Sequence, residues 1–372
     1  SQCGNYIDYF FGQMLQDMSY AKVFDLKSYA PGFFLQMPPR GSMELQKVEE
    51  APLFSRVFLE TQNWSELIGC NSLIDLNKAI ENHTVEDLIL MAEALHEKKI
   101  AELADKICGQ KPEVRLVCIA GPSSSGKTTF MKRLIIHLWV NGVKPVMLSL
   151  DDYFRNRDEM DKSVWEDLEA LDLPLFEETV VKLLEGKEVR LPRFNFITGK
   201  KEWDEKATRL GEGQPILVEG LHGLNPALSY FVPGYQCVHV YLSALTQITI
   251  NNHNRISTSD TRLLRRMVRD ARGRGHDVET TLAHWDSVRQ GEERNIFSFP
   301  NKAAFIFNSA LIYELPVLKK LAKPLLQTVS KGSSVYPEAQ RLLHFLEPFC
   351  ELDTSLVPSN SLLREFVGHG NV

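Results

Sequence analysis

Six cysteines lie scattered along the 372-residue chain, and none stands in a CxxC pair or at any other familiar metal-ligand spacing. That excludes a zinc-ribbon or disulfide framework and fits reduced thiols in a cytoplasmic protein, several of them buried. No apolar run approaches the roughly 18 residues that a membrane span needs, and the first residues carry no signal-peptide pattern. A chain that opens at Ser1 without a methionine reads as a fragment or a trimmed one. Positive charge is in deficit, with a formal net charge of −6. This argues against a general nucleic-acid or membrane-surface binder, so any anionic ligand needs a local basic cluster. Internal repeats and low-complexity tracts are absent. There is no G-x-S-x-G nucleophile elbow, and His96-Glu97 lacks the second histidine of an HExxH zinc site. What is present is an ordinary globular balance, 44% hydrophobic and 24% charged, enough for one very large domain or two ordinary ones.

The stretch to about Cys70 is rich in aromatics, prolines and turn residues, as in Tyr9-Phe-Phe-Gly12, Tyr29-Ala-Pro-Gly32 and Met37-Pro-Pro-Arg40, and reads as short strands joined by turns. From Ser72 to Ile107 the apolar spacing is helical, with Leu88, Met91, Leu95 and Ile100 in step. Gly109-Gln-Lys-Pro112 breaks the helix, and a domain boundary is expected there, dividing 1–108 from 109–372. Beyond it, Arg115–Ala120, Pro145–Leu150, Pro215–Val218 and Val238–Leu242 are short apolar runs of the kind that form buried parallel strands, alternating with helical stretches. In such sheets ligands sit at the carboxyl ends of the strands, where the motifs below fall.

Gly121-Pro-Ser-Ser-Ser-Gly126-Lys127-Thr128 matches G-x-x-x-x-G-K-[ST] between a strand and a helix, the context that a phosphate-binding loop requires. Glycines let backbone N–H groups turn inward around phosphate oxygens, and the helix N-terminus adds a favourable dipole. Gly121, Ser123, Ser124, Ser125, Gly126, Lys127, Thr128 and Thr129 are therefore the expected nucleotide-binding residues, with Lys127 on the terminal phosphates and the Thr128 hydroxyl on magnesium.

Asp151 and Asp152 follow the second apolar run, where a carboxylate can take the proton of an attacking hydroxyl or simply cap a strand end. Glu219-Gly220 ends the third run, where an acidic residue can hold magnesium directly or through water. Arg262, Arg265, Arg266, Arg269, Arg272 and Arg274 crowd one segment of an otherwise acidic chain. A helix would line several on one face, a fork suited to transferred phosphate charge, although pairing with Asp260, Asp270 and Asp277 is the plainer use. Gly273 and Gly275 would let this segment open and close as a lid.

Taken together these residues resemble the uridine kinase and phosphoribulokinase family of P-loop kinases. The likeness runs from about Val114 to Leu326, through Gly121–Thr129, Asp151-Asp-Tyr-Phe154, Glu169-Ala-Leu-Asp172, Leu191–Phe196, Glu219-Gly220 and Arg265–Arg274. The resemblance implies that Asp151, rather than Asp152, is the catalytic base, with Lys127 and Arg269 in the same machinery. It implies that Glu166–Asp172, with Phe194 and Phe196, walls the nucleoside site, and that Arg266, Arg269 and Arg274 are lid and substrate arginines. Where pyrimidine nucleoside kinases carry a histidine after the aromatic pair this chain has Gly199; His276 replaces a second lid arginine, and His284 stands near a glutamine position. Residues 1–108, with Tyr20–Leu26 and Glu93–Lys99, look like a segment fused ahead of such kinases and similar to part of the editing region of threonyl-tRNA synthetases. Asn360–Gly368 also looks like that fused subfamily.

The expected architecture is an α/β, P-loop NTPase-type parallel sheet flanked by helices, with a smaller α+β N-terminal domain. The expected activity is transfer of the γ-phosphoryl of ATP to the 5′-hydroxyl of a nucleoside, with Mg²⁺ held by Thr128, Asp151 and Glu219. Asp172, Phe194, Phe196, Arg266, Arg274 and His276 are the expected substrate contacts. A sugar phosphate or other small alcohol as acceptor, or a non-catalytic nucleotide-binding regulator associated with RNA, are the alternatives; an intact Asp151 and an arginine lid favour the enzyme. Nucleic acid and membrane are not expected partners, and a homo-oligomer is left open.

Overall fold

The apolar runs become the middle of a parallel sheet. The computed structural model describes residues 2–7, 17–29, 32–38, 42–45, 52–159, 167–196, 198–246, 248–251, 254–273, 275–296 and 301–371. They divide into two units, Ser1–Pro52 and Leu53–Val372. The first contains two antiparallel pairs, β1 (Gln2–Cys3) with β2 (Tyr6–Ile7) and β3 (Asp25–Tyr29) with β4 (Gly32–Gln36). Tyr29 and Gly32 are the paired ends of β3 and β4, whereas Tyr9–Gly12 lies outside the described residues.

The second unit opens with α1 (Pro52–Leu67), α2 (Leu73–Glu81) and α3 (Val85–Gly109). Ser72 and Asp75 form a reciprocal capping box at the start of α2, satisfying amides that the helix leaves without partners. Strand β5 (Leu116–Ala120), helix α4 (Lys127–Val140) and strand β6 (Val146–Ser149) follow. Then come α5 (Leu173–Leu184), the hairpin β7 (Val189–Asn195) and β8 (Lys200–Thr208), β9 (Ile216–Gly220) and β10 (Cys237–Ser243). The rest is α6 (Thr258–Gly273), α7 (Val278–Asn295), β11 (Phe305–Asn308), α8 (Glu314–Gln327), α9 (Tyr336–Leu346) and the short α10 (Arg364–Val367). The sheet order is β11-β10-β5-β9-β6, parallel throughout.

Alternation along β5 explains the layering, because successive side chains on a strand point to opposite faces. Val117 and Ile119 join Phe130, Leu134 and Leu138 of α4 and Ile100, Leu103 and Ile107 of α3. Leu116 and Cys118 join Phe176, Val180 and Leu183 of α5 on the other face. Both faces are covered, which is why the strands read as unbroken apolar runs. Phe130 is fully buried, and a side chain of that size stabilises by about 1.5–3 kcal/mol. The break at Gly109–Pro112 ends α3, while the division between units lies earlier, at Pro52/Leu53. The reason is that α3 shares its core with α4 and β5. Among the described residues no helix is long and apolar enough to cross a membrane, and Cys70, Cys108, Cys118, Cys237 and Cys350 are free.

One buried ion pair ties α6 to α8. Arg265 Nε donates to Glu314 Oε2 at 2.7 Å, and another arm reaches Ser309 O at 2.8 Å; both charged side chains are buried. Removing one member leaves an uncompensated buried charge, a cost of about 3–5 kcal/mol. Arg265→Ala is expected to lower stability by that amount in urea unfolding, and the paired change Arg265→Met with Glu314→Leu to recover most of it. A loss below about 1 kcal/mol in the single variant would mean that the pair does not hold the helices.

Candidate functional site

Every strand that carries a motif ends on the same edge of the sheet, and the loops beyond that edge enclose a cleft of about 290 Å³. Its floor is the loop from Gly121 to Thr128, between β5 and α4. Gly121 is required there, because a Cβ would come within 2.7 Å of Leu242 O and of Ser125 Oγ. The Lys127 ammonium folds back over the loop, donating to Gly121 O at 2.9 Å and Pro122 O at 3.3 Å.

The loop is gripped from behind by the arginine helix. Arg262 makes a two-armed pair with Glu292 of α7, at 2.7 and 2.8 Å, and also donates to Ser123 O at 3.1 Å. Glu292 accepts the Ser123 N–H at 2.8 Å, so both sides of that residue's backbone are fixed. Arg265 adds a bond to Ser124 O at 3.3 Å. The helical spacing of the arginines therefore divides their work between two faces. Arg262 and Arg265 are buried supports, whereas Arg266 and Arg269 line the cleft. Arg266 donates to Ser123 Oγ at 3.0 Å, and both Arg266 and Arg269 pair with the buried Asp270.

The carboxylates also divide. Asp151 lines the cleft, while Asp152 turns toward the hairpin, where Oδ1 accepts the Phe194 N–H at 3.1 Å and Arg193 stands at 3.7 Å. Glu219 receives the Ser149 hydroxyl at 3.0 Å and that of Thr128 at 3.4 Å. Burial first, then the charge of Asp151, pushes the Glu219 carboxyl up to about 7. The hydroxyls of Thr128 and Ser149 thus meet Glu219, with the Asp151 charge close enough to act on it. Such a donor set suits a hard divalent cation, and a cation would relieve the crowding of two carboxyls.

Phe154, Phe194 and Phe196 form one wall, with 5.7 Å between the first two ring centroids and 5.2 Å between the last two. Gly199 supports that wall: its φ is +68°, and a Cβ would come within 2.5 Å of Arg157 Cδ, so a side chain there would push Arg157 from its position lining the cleft. Two expected substrate contacts, Asp172 and His276, do not line the cleft. Asp172 caps α5 through the Leu175 N–H at 3.2 Å and pairs with Lys201 at 2.9 Å. His276 is exposed between α6 and α7, and Arg274, like Glu166, lies outside the described residues. His284 is likewise exposed, its Nδ1 2.8 Å from Thr280 O within its own helix.

Arg157, His222, Glu292 and Glu365 had no place in the sequence argument. His222, two positions past Gly220, lines the cleft; burial above all lowers it to about 4, so it is neutral near pH 7. Its place just beyond the Glu219-Gly220 strand end was a signal that could have found it. Glu292 and Glu365 had none: each is far along the chain, and only folding carries its carboxylate to a loop amide. Glu365, on α10, accepts the Thr129 N–H at 3.1 Å and lines the cleft.

The model of the phosphoribulokinase / uridine kinase family matches residues 116–310, just over half of the chain. The chain belongs to that family. Among curated relatives it is 26% identical over 179 residues to the uridine kinase of Macrococcus caseolyticus, a match spanning 46% of this chain and 77% of that one. It is 26% identical over 119 residues to uridine-cytidine kinase C of Dictyostelium discoideum, covering 32% of this chain and 25% of that protein. The chain thus spans only a quarter to a third of the Dictyostelium kinases it matches. Similar solved structures include one described as a possible uridine kinase from Bacillus stearothermophilus, 21% identical with a TM-score of 0.34, covering 39% of this chain and 79% of that one. The D-glycerate 3-kinase of Cryptococcus neoformans is 12% identical with a TM-score of 0.27, covering 76% and 87%.

The crowding at Glu219 gives a measurable consequence for this family member. A carboxyl whose folded value lies above its ordinary one binds a proton that the unfolded chain releases, so stability falls as pH rises from the usual carboxylate range through about 7. Glu219→Gln is expected to remove that fall, gaining at most about 3 kcal/mol over the parent at pH 8 and nothing near pH 4. The difference between the two unfolding free energies across pH checks it; a difference independent of pH would clear Glu219 of the burden.

Proposed function

We propose that this chain transfers the γ-phosphoryl group of ATP to the 5′-hydroxyl of a nucleoside, with Asp151 as general base. The observation that carries the reading is the division of the carboxylates: Asp151 opens onto the cleft beside the phosphate loop, while Asp152 is occupied by the Phe194 amide and Arg193. Loop amides from Ser124 to Thr129 and the Lys127 ammonium would hold the nucleotide phosphates, the Ser123 N–H being taken by Glu292. Thr128, Glu219 and Asp151 would hold Mg²⁺, which when bound neutralises negative charge on the transferring phosphates. Asp151 takes the proton of the attacking hydroxyl as the new O–P bond forms and the bond from the γ-phosphorus to the β–γ bridging oxygen breaks, releasing ADP. Arg266 and Arg269 face the same space and stabilise charge spreading over the moving phosphoryl group. Phe194 and Phe196 offer flat apolar faces for a base, and neutral His222 can donate or accept a hydrogen bond.

In this reading the kinase domain proper runs over 109–372, and the likeness of 1–108 to a threonyl-tRNA synthetase segment brings no activity with it. A cytoplasmic setting agrees with the free cysteines. A second acceptor class, a sugar phosphate, is favoured by Arg157, a guanidinium that lines the acceptor side of the cleft beside Phe154.

The acceptor is tested by kcat/KM for uridine, cytidine, adenosine, guanosine and inosine, with sugar phosphates assayed alongside. With Gly199 where a base-reading histidine stands in pyrimidine nucleoside kinases, turnover of uridine and cytidine is expected within about tenfold of each other, about 1.4 kcal/mol. A uridine preference above about a hundredfold, roughly 2.7 kcal/mol, would contradict the broad pocket, and activity confined to sugar phosphates would select the second acceptor. For the base, Asp151→Asn is expected to lose about 10²–10⁴-fold in kcat with ATP affinity nearly intact. If Asp152→Asn proved the more damaging, the assignment would be wrong.

A further inference from the structure

Away from the cleft, on the α5 face of the sheet, two thiols and an imidazole converge. Strand β5 pairs in parallel with β10, with His239 opposite Cys118 and Cys237 opposite Leu116. Residues two apart on a strand share a face, so Cys237 and His239 lie on the side that Cys118 occupies. Packing agrees: Cys118 is part of the apolar cluster on that face and Cys237 packs against it, whereas Val117, Val238 and Val240 belong to the opposite cluster.

We propose that Cys118, Cys237 and His239 form a binding site for a thiophilic divalent cation, zinc by its chemistry, that clamps β5 to β10 beneath the phosphate loop. Their donor atoms all lie within 4.8 Å of one another. Cys237 Sγ is 3.8 Å from His239 Nδ1 and 3.9 Å from Nε2. Around a tetrahedral zinc, with Zn–S about 2.3 Å and Zn–N about 2.0–2.1 Å, donors stand roughly 3.5–3.8 Å apart. Cys237 and His239 already stand at that separation, and Cys118 needs a shift of no more than about an ångström to join them.

The surroundings also fit. His239 Nε2 lies 3.3 Å from Ser229 Oγ, an orienting contact that leaves Nδ1 to the ion. Cys118 is fully buried, while Cys237 and His239 are half-buried and give the ion a way in. Two thiolates cancel the charge of a divalent ion, so burying the complex leaves no net charge uncompensated. The neighbouring Cys118 thiol pulls the Cys237 thiol below its usual range, while Cys118, donating to it and buried, is held protonated. Binding then releases the remaining thiol protons. Sulfur and imidazole donors separate this site from the oxygen-lined spot at Thr128 and Glu219, which suits magnesium.

The test uses the whole chain, stripped of metal and then titrated with zinc and, for its thiolate charge-transfer absorption, with cadmium. One ion per chain at micromolar affinity, a cadmium–thiolate band and a raised Tm are expected. Cys237→Ser and His239→Gln, whose side chains are half-buried, should fold as the parent does by circular dichroism. Each should weaken zinc by more than the about 10–100-fold that loss of an orienting neighbour costs. Cys70→Ser with Cys350→Ser should leave binding unchanged. No ion bound at micromolar zinc, or binding that survives in both Cys237→Ser and His239→Gln, would overturn the proposal.

Discussion

The backbone of Ser123 and Ser124 is held from outside the loop to which it belongs, and the cleft depends on that grip. A phosphate loop turns its N–H groups toward empty space, so it has little side-chain packing of its own to fix it. Here Ser124 even adopts a left-handed φ of 60°, a conformation that surrounding structure must impose. Arg262 with Glu292, and Arg265 with Glu314, supply the restraint through bonds to Ser123 and Ser124. These pairs are costly to desolvate and add little to stability over a well-packed apolar alternative. Their return is positional: they define where the loop amides point.

The cleft they hold is rich in negative charge for a place proposed to receive phosphates. Glu219, Asp151 and Glu365 all face it, against Lys127, Arg157, Arg266 and Arg269. Glu365 already accepts the Thr129 N–H, a donor that the loop would offer to a nucleotide, so the two anions compete for one amide. Glu219 and Asp151 crowd each other enough to raise the Glu219 carboxyl. Under the proposed function a divalent cation would relieve the crowding at Glu219, and a nucleotide would have to displace Glu365 from the Thr129 N–H.

Much of this was legible in the chain. The buried strands are short apolar runs because helices cover both faces, and the loop motif carries its own strand–loop–helix context. The convergence of Asp151, Glu219 and the arginines on one edge follows from parallel topology, whereas the order of the strands does not. Other features depend on packing that no local pattern records. Helical spacing put the arginines in register but could not tell Arg265, buried against Glu314, from Arg269, facing the cleft. Asp172 and Asp152 have the same residue type and strand-end or helix-start position as a catalytic carboxylate, yet one caps α5 and the other holds the hairpin. Glu292, Glu365 and the Cys118–Cys237–His239 group come from distant segments, and only the sheet and helix packing bring them together.

The central claim is that α6 works on two sides, gripping the loop with one pair of arginines and meeting the phosphoryl group with the other. Guanidiniums that act on developing charge contribute mainly in the transition state. The most direct measurement is kcat beside the equilibrium affinity for ATP in Arg269→Ala. The account predicts that kcat falls by about 10²–10³-fold while ATP affinity stays within a few-fold. An unchanged kcat with affinity alone reduced would make Arg269 a ground-state contact and contradict it.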